Sequence, residues 1–238
     1  MNSTAKTMKR VSATVTLAVG LAAMATTVSG TLAMAQRPSK GEVESTTITL
    51  RVYDYAHAGQ KGLRAAEGEA ARILAEAGVK ARWVDCPTKH ADVARYPGCA
   101  AAGQGNEYTL RLLSGSMAAA QEKSLEALGS AADCGQGACT ASVYYDRIQK
   151  LAGGDTMPSD VLAGRVMARE VGQLLIGVTY RSRSGIMSPS WTYRQLGMLA
   201  SSEMSFSPVE ASAMRARVAE REREQVAATG SERLDNTH

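Results

Sequence analysis

A run of residues between positions 169 and 187 has the types and spacing of a catalytic helix. Glu170 could act as a general base, because a carboxylate accepts a proton from a bound nucleophile. Arg169 and Gln173 are four residues apart, so on a helix they share the face beside Glu170. Gly177 would end that helix, and a Ser-Gly-Ile-Met segment ending at Met187 follows it. The chemistry depends on what the shared face can bind.

This stretch resembles the active-site signature of the metzincin zinc peptidases. In that signature two histidines one helical turn apart bind zinc, and a glutamate between them is the general base. A glycine ends the helix, a third histidine follows, and a methionine turn closes the site. The resemblance places Glu170 at the base, Arg169, Gln173 and Arg181 at the three ligand positions, and Met187 in the Met-turn.

The ligand positions hold no histidine. A guanidinium has no lone pair to donate and stays charged, so two arginines would repel a zinc ion. The spacing also departs from the family pattern, because Gly177 lies four residues beyond Gln173 and Arg181 four beyond Gly177, where the pattern has three in each case. We therefore expect a degenerate member of the family, with no metal and no cofactor.

The three histidines, His57, His90 and His238, leave one alternative open. No two of them have the spacing that places a pair on one helix face. A zinc ion held by His57, His90 and Glu170 would make the chain an active secreted metallopeptidase with an unrecognised ligand set.

The resemblance also implies a fold. Its class is α/β (α+β), with a zincin-like twisted mixed sheet packed on an active-site-type helix, a cleft along an edge strand, and an additional C-terminal helix. Alternating apolar residues predict strands at 47–53, 79–84, 107–113 and 138–145. Helical spacing predicts a helix at 63–77, between the first two strands. A helix in this position would make those two strands parallel. Residues 118–131 fit either a helix or a polar excursion over the sheet.

The signature helix itself is predicted from about Ser159 to Ile176. Pro158 and the acidic Asp160 favour its start, and apolar residues on nearly all sides indicate a helix buried under the sheet. We assign residues 46–200 to the metzincin-like domain. A Ser-Pro-Val-Glu capping box at Ser207 opens an exposed, charged helix at 207–228, and residues 229–238 are predicted to be a disordered tail.

Residues 1–35 are predicted to be a secretory signal peptide. Lys6, Lys9 and Arg10 precede an apolar run, and small residues at Ala33 and Ala35 suit a signal peptidase. The alternative is a retained membrane anchor. Cleavage would leave a flexible leader at 36–45 and a secreted or periplasmic protein that needs no membrane.

The charge balance and the length of the cleaved chain narrow the classes of function that the protein can have. Cleavage would remove three of the 27 basic residues and none of the 23 acidic ones, leaving 24 basic and 23 acidic residues. A nucleic-acid-binding protein normally carries a basic excess, so we predict no nucleic-acid partner. The remaining chain is long enough for one domain with a substantial core.

The four cysteines, Cys86, Cys99, Cys134 and Cys139, are expected to form disulfides in an oxidising compartment. Three connectivities are possible, and nearest-neighbour pairing closes two short loops rich in proline and glycine. A redox pair or cysteine zinc site lacks the C-x-x-C spacing.

The sequence thus favours a secreted, non-catalytic metzincin-like domain with a binding or structural role in the cell envelope or outside the cell. Arg169, with Arg181 as a second candidate, would place a guanidinium where a metal would lie, with Glu170 as an internal counter-ion. In a second version the cleft holds an extended peptide or protein segment and arginine binds its carboxylate. Tyr193, a few residues past the Met-turn, is interpreted as a packed aromatic residue.

Overall fold

The computed structural model describes residues 46–100, 105–121, 126–132, 139–152, 157–182, 184–188, 191 and 204–235. The predicted signal peptide and leader lie outside these ranges, as do Tyr193, Cys134 and residues 192–200. Within the ranges, no helix combines the length and the apolar character needed to span a bilayer.

Five strands form a mixed sheet. The strands are β1 Thr46–Asp54, β2 Val79–Cys86, β3 Glu107–Leu113, β4 Gly129–Ala132 and β5 Cys139–Tyr144. Their order is β2-β1-β3-β5-β4, with β4 antiparallel to β5 and all other pairs parallel. The predicted parallel pairing of the first two strands is therefore confirmed, and β4 is an edge strand.

Seven helices are described. They are α1 Gln60–Glu76, α2 His90–Val93, α3 Pro97–Ala100, α4 Gly115–Ala119, α5 Tyr145–Ala152, α6 Ser159–Ile176 and α7 Pro208–Asp235. The long helix α6 contacts β4, β5, α1 and α7, so it lies beneath the β4 side of the sheet.

The core lies between one face of the sheet and the helices α1, α6 and α7. Alternate strand residues such as Ile48, Leu50 and Leu110 are fully buried on this inner face and belong to the main apolar cluster. The period of two places every other side chain on the same face, which is why the strand pattern was readable from the sequence.

The predicted fold class is confirmed, since a mixed sheet packs on the helix that carries Glu170 and a C-terminal helix follows. Strand β4 was not predicted, because its Gly-Ser-Ala-Ala sequence has little strand propensity and forms by pairing with β5. Residues 118–131, left undecided above, contain the end of α4 and most of β4 on either side of residues outside the description.

Helix α7 differs from the sequence prediction in two respects. It continues to Asp235, through residues 229–235 that the sequence assigned to a disordered tail. Its first half is also not solvent-exposed, because Met214 and Val218 are fully buried. Arg215 donates to the carbonyl of Ala77 at 2.7 Å, which anchors the helix on the domain. Its charged residues therefore partly serve packing, although mixed charges had indicated a solvated face.

A disulfide joins Cys86 at the end of β2 to Cys99 in α3, with a Cα separation of 5.7 Å. This is one of the two nearest-neighbour pairs that the loop composition favoured. The other predicted pair includes Cys134, which lies outside the described residues, so that pairing stays a prediction.

Candidate functional site

Helix α6 holds Arg169, Glu170 and Gln173 together. Asp160 accepts a hydrogen bond from the Val161 backbone amide at 2.9 Å in the first turn, where an acid opposes the positive end of the helix. At the other end Gly177 has φ of 127°, a conformation that favours glycine, and its amide donates to the Gln173 carbonyl at 2.9 Å. The bounds match the predicted helix, so local sequence signals define this element.

Glu170 is buried directly beneath edge strand β4. Its exposed fraction is 0%. A Cβ atom on Gly129 of β4 would lie 2.8 Å from Glu170 Cγ and 2.9 Å from Val166 Cγ1, closer than such atoms can approach. Glycine at position 129 therefore lets the helix pack against the strand at the point where Glu170 lies.

Arg169 pairs with Glu170 within the helix. One guanidinium nitrogen, Nη1, donates to Glu170 Oε1 in a short ion pair. The Arg169 side chain is 16% exposed, and its guanidinium lies over the Trp191 ring at 6.0 Å from the centroid, at the outer limit of a cation–π contact. The arginine at the first ligand position is thus held by the adjacent carboxylate and an aromatic ring.

The protonation of Glu170 reflects two opposing effects. Burial raises the pKa of its carboxyl group, while Arg169, and to a lesser degree Arg181, lower it; burial dominates, so the net pKa is raised. Its second oxygen, Oε2, is buried and has no hydrogen-bond partner among the residues that the structure describes. A carboxyl group in this setting holds a proton more readily than an exposed glutamate does.

The other two ligand positions lie in different surroundings. Gln173 is one helical turn beyond Arg169 and is 5% exposed. Arg181 is exposed, and its Nη1 donates to the carbonyls of Val178 and Tyr180 at 2.8 and 2.7 Å. Arg181 influences Glu170 electrostatically, but its hydrogen bonds are local to its own turn.

The Met187 segment packs beneath the same helix. Met187 is fully buried, and a Cβ on Gly172 would lie 3.2 Å from its sulfur and 2.5 Å from Phe206 Cε1. The turn itself has Gly185 at φ of 71°, and the Ser188 amide donates to the Gly185 carbonyl at 3.2 Å. Met187 is therefore packed against α6 at Gly172, and its role as a Met-turn stays a prediction.

These residues do not fit a zinc ion. Zinc requires imidazole, thiolate or carboxylate donors in tetrahedral arrangement, and two of the three positions supply guanidinium groups. Among the described residues no group of three histidine, cysteine, aspartate or glutamate side chains could hold a metal.

The alternative set of His57, His90 and Glu170 is not brought together. His57 is exposed after β1, and His90 begins α2, beyond β2. Glu170 packs on β4, at the opposite edge of the sheet from β2. Four strand spacings separate β2 from β4, which is about 19 Å, and three separate β1 from β4, which is about 14 Å; both distances are far wider than a metal site.

Three contributors to the site were missed by sequence reasoning. Trp191 covers Arg169, Gly129 admits Glu170 beneath β4, and Phe206 packs on Gly172. Each acts across the fold rather than along the chain, and no local spacing marks it. The sequence offered one signal, the glycines within the apolar helix and within the short Gly-Ser-Ala-Ala segment. Glycine at such positions suggests that a neighbouring chain segment packs closely against the backbone.

Chemically, the described arrangement is a charged contact between Arg169 and a buried carboxyl group. A general base must contact the proton it removes, and Glu170 has no exposed surface and is engaged by Arg169. Its burial and its contact with Arg169 suit a carboxyl group with a structural role.

Comparison with known proteins gives a fold-level likeness only. No protein-family model matches the chain, and no curated protein matches it. Among solved structures, the crystal structure of archaemetzincin from Methanopyrus kandleri is similar to it at 15% sequence identity, with a TM-score of 0.43, over 73% of this chain and 97% of the archaemetzincin chain. A likeness this slight adds nothing to what the strand order and the buried helix show by themselves.

Proposed function

We propose that this chain is a secreted, non-catalytic metzincin-like domain in which the Arg169–Glu170 ion pair stands where a metzincin holds zinc. The supporting observation is that Glu170, at the position of the general base, is fully buried and paired with the arginine at the first ligand position. A base without a polarised water has nothing to activate. The domain then has a structural or binding role in the cell envelope or outside the cell.

The internal pairing also bears on what the cleft can bind. Arg169 is engaged by Glu170 and Trp191, and Arg181 by carbonyl groups of its own turn. Both cations are therefore already partnered, which favours the structural version of the proposal over one in which they bind the carboxylate of a peptide. An extended peptide along edge strand β4 remains the binding version to test.

The first test asks whether the protein handles metal at all. Protein expressed from the full-length sequence is analysed for zinc by mass spectrometry and assayed for hydrolysis of casein, with and without a chelator. We expect less than stoichiometric zinc and no chelator-sensitive cleavage. Stoichiometric zinc with cleavage that the chelator abolishes would instead establish the active metallopeptidase.

A second test restores the missing ligands. The triple variant Arg169→His, Gln173→His and Arg181→His places three imidazoles at the positions given by the resemblance, and we expect it to bind one zinc ion per chain. The matched control is Glu224→His with Ala228→His, a histidine pair with the same four-residue spacing on an exposed stretch of α7.

The control distinguishes zinc binding by three convergent histidines from the weak zinc binding expected of any exposed histidine pair. The triple variant should bind zinc more tightly than the control, because three convergent ligands replace two. Equal affinities in the two variants would show that positions 169, 173 and 181 do not converge on one point, and the proposal would then lose its geometric basis.

A further inference from the structure

The face of the sheet opposite α6 is polar and carries an excess of positive charge. We call it the outer face. The strand register places four basic residues and one acidic residue on it, namely Lys80, Arg82, Arg51, Arg111 and Glu107. The acid is already engaged, because Glu107 Oε2 lies 2.6 Å from Arg51 Nη2.

The arginines of this face differ in how well their donors are satisfied. Arg51 donates to Glu107 and, through Nε, to the carbonyl of Gly98 at 2.7 Å. Arg82, on edge strand β2, is exposed to water and donates to the Thr49 hydroxyl at 3.0 Å. Both of these cations therefore have acceptors or solvent.

Arg111 is the exception. It lies on the central strand β3 and is only partly exposed. Its Nη2 makes a long hydrogen bond of 3.4 Å to Ser142 Oγ, and its buried Nε has no hydrogen-bond partner among the described residues. A guanidinium has five N–H donors, and leaving a charged donor buried and unpaired costs more than leaving a neutral one.

The residues beside Arg111 can also donate hydrogen bonds. Tyr53, Arg111 and Ser142 are register partners on the adjacent parallel strands β1, β3 and β5, so they lie in one row with about 4.8 Å between strands. The Ser142 hydroxyl oxygen accepts the hydrogen bond from Arg111. The hydroxyl proton of Ser142 can therefore be donated to another acceptor. Thr109 lies two residues before Arg111 on the same face.

We propose that the outer face around Arg111 binds an oxyanion, a carboxylate or a phosphate group, held by the guanidinium of Arg111 with the hydroxyls of its row. An oxyanion supplies the acceptors that the described residues do not, and a planar guanidinium can bind two of its oxygens at once. The site is on the opposite side of the sheet from Glu170, so it is independent of the function proposed for the cleft.

The experiment uses the side-chain Nε–H signal of Arg111 in ¹⁵N-labelled protein expressed from the full-length sequence. Inorganic phosphate and acetate are titrated separately at constant ionic strength, with chloride as the reference anion. We expect a saturable shift of this signal with phosphate, with acetate or with both. Phosphate acting alone points to a phosphorylated ligand, and acetate acting alone points to a carboxylate such as a peptide terminus.

Variants test whether Arg111 carries the binding. We expect Arg111→Gln to weaken anion affinity at least roughly ten-fold, since the charge-assisted pair of hydrogen bonds is lost. Arg82→Gln is the matched control, because it removes an arginine from the same face that is exposed and already bonded, and its affinity should equal that of the parent. Arg111→Lys keeps the positive charge but lacks the planar pair of N–H donors. Its anion affinity should therefore lie between those of the parent protein and Arg111→Gln.

The proposal has clear contrary outcomes. A shift of equal size with chloride would indicate general ionic screening, and unchanged affinity in Arg111→Gln would place the anion elsewhere. If Arg111→Gln does not fold, the single variants Ser142→Ala and Arg111→Lys test the proposal instead. Each should bind the anion more weakly than the parent protein. Full anion affinity in both variants would overturn the proposal.

Discussion

Glu67 should make the stability of this protein depend on pH in an unusual direction. It lies on α1 with 8% of its surface exposed and faces Asp85 of β2. Burial, and then the neighbouring charge of Asp85, raise the pKa of Glu67 from 4.5 to about 8, with Arg64 opposing this weakly. Within the described part of the chain, its Oε1 has no hydrogen-bond partner. The side chain is therefore a buried acid that keeps its proton near neutral pH.

The sign follows from which state binds more protons. The unfolded chain releases the Glu67 proton above pH 4.5, whereas the folded chain keeps it up to about pH 8. Between these values the folded state holds more protons, so the free energy of unfolding falls as the pH rises. The contribution is fully present below pH 4.5 and is lost as the pH rises through about 8.

The magnitude follows from the same two pKa values. A change from 4.5 to about 8 corresponds to a ceiling of about 5 kcal/mol. Asp85 is exposed to solvent, and screening there reduces the effect, so we expect about 2 kcal/mol. The variant Glu67→Gln resembles the protonated form and cannot titrate. It should therefore gain about 2 kcal/mol relative to the parent protein between about pH 5 and about pH 9.

Urea unfolding followed by circular dichroism at intervals across that pH range measures the difference directly. Subtracting the parent curve from the variant curve removes the contributions common to both proteins, that of Glu170 among them. Glu76→Gln is the matched control, since it makes the same chemical change at an exposed position of the same helix. Parallel curves for the parent and Glu67→Gln would refute the reasoning.

Two further predictions concern packing and the disulfide. Gly129→Ala should destabilise the protein by about 1–3 kcal/mol, because the new Cβ would meet Glu170 Cγ and a backbone oxygen, each at 2.8 Å. Gly68→Ala, in α1 with nothing within 4 Å, should instead stabilise it by about 0.5–1 kcal/mol, and opposite signs in denaturant unfolding check the pair. Replacing both Cys86 and Cys99 by serine should cost about 2–3 kcal/mol through the entropy of the unfolded chain, and an unchanged unfolding midpoint would show that the bridge contributes no stability.

Much of the framework could be predicted because its signals are local. The bounds of α6 follow from Pro158, Asp160 and Gly177, which act within one or two turns of the helix. Strand β3 was predicted with its observed bounds, since alternation of apolar residues is a property of a few consecutive positions. Strand β4 was missed because its formation depends on a partner strand and not on its own residues.

The sequence by itself determined which residue types occupy positions 169, 170, 173 and 181, and therefore the prediction that guanidinium groups stand where the resemblance would require metal ligands. Only the tertiary structure decided how each of those charges is satisfied. It buries Glu170 beneath Gly129, pairs it with Arg169, and directs Arg181 to its own turn. On the far side of the sheet it leaves the Nε of Arg111 without a partner among the described residues. The reason is that helix signals act over a few residues, whereas burial and ion pairing depend on groups that are distant in the chain and adjacent only after folding.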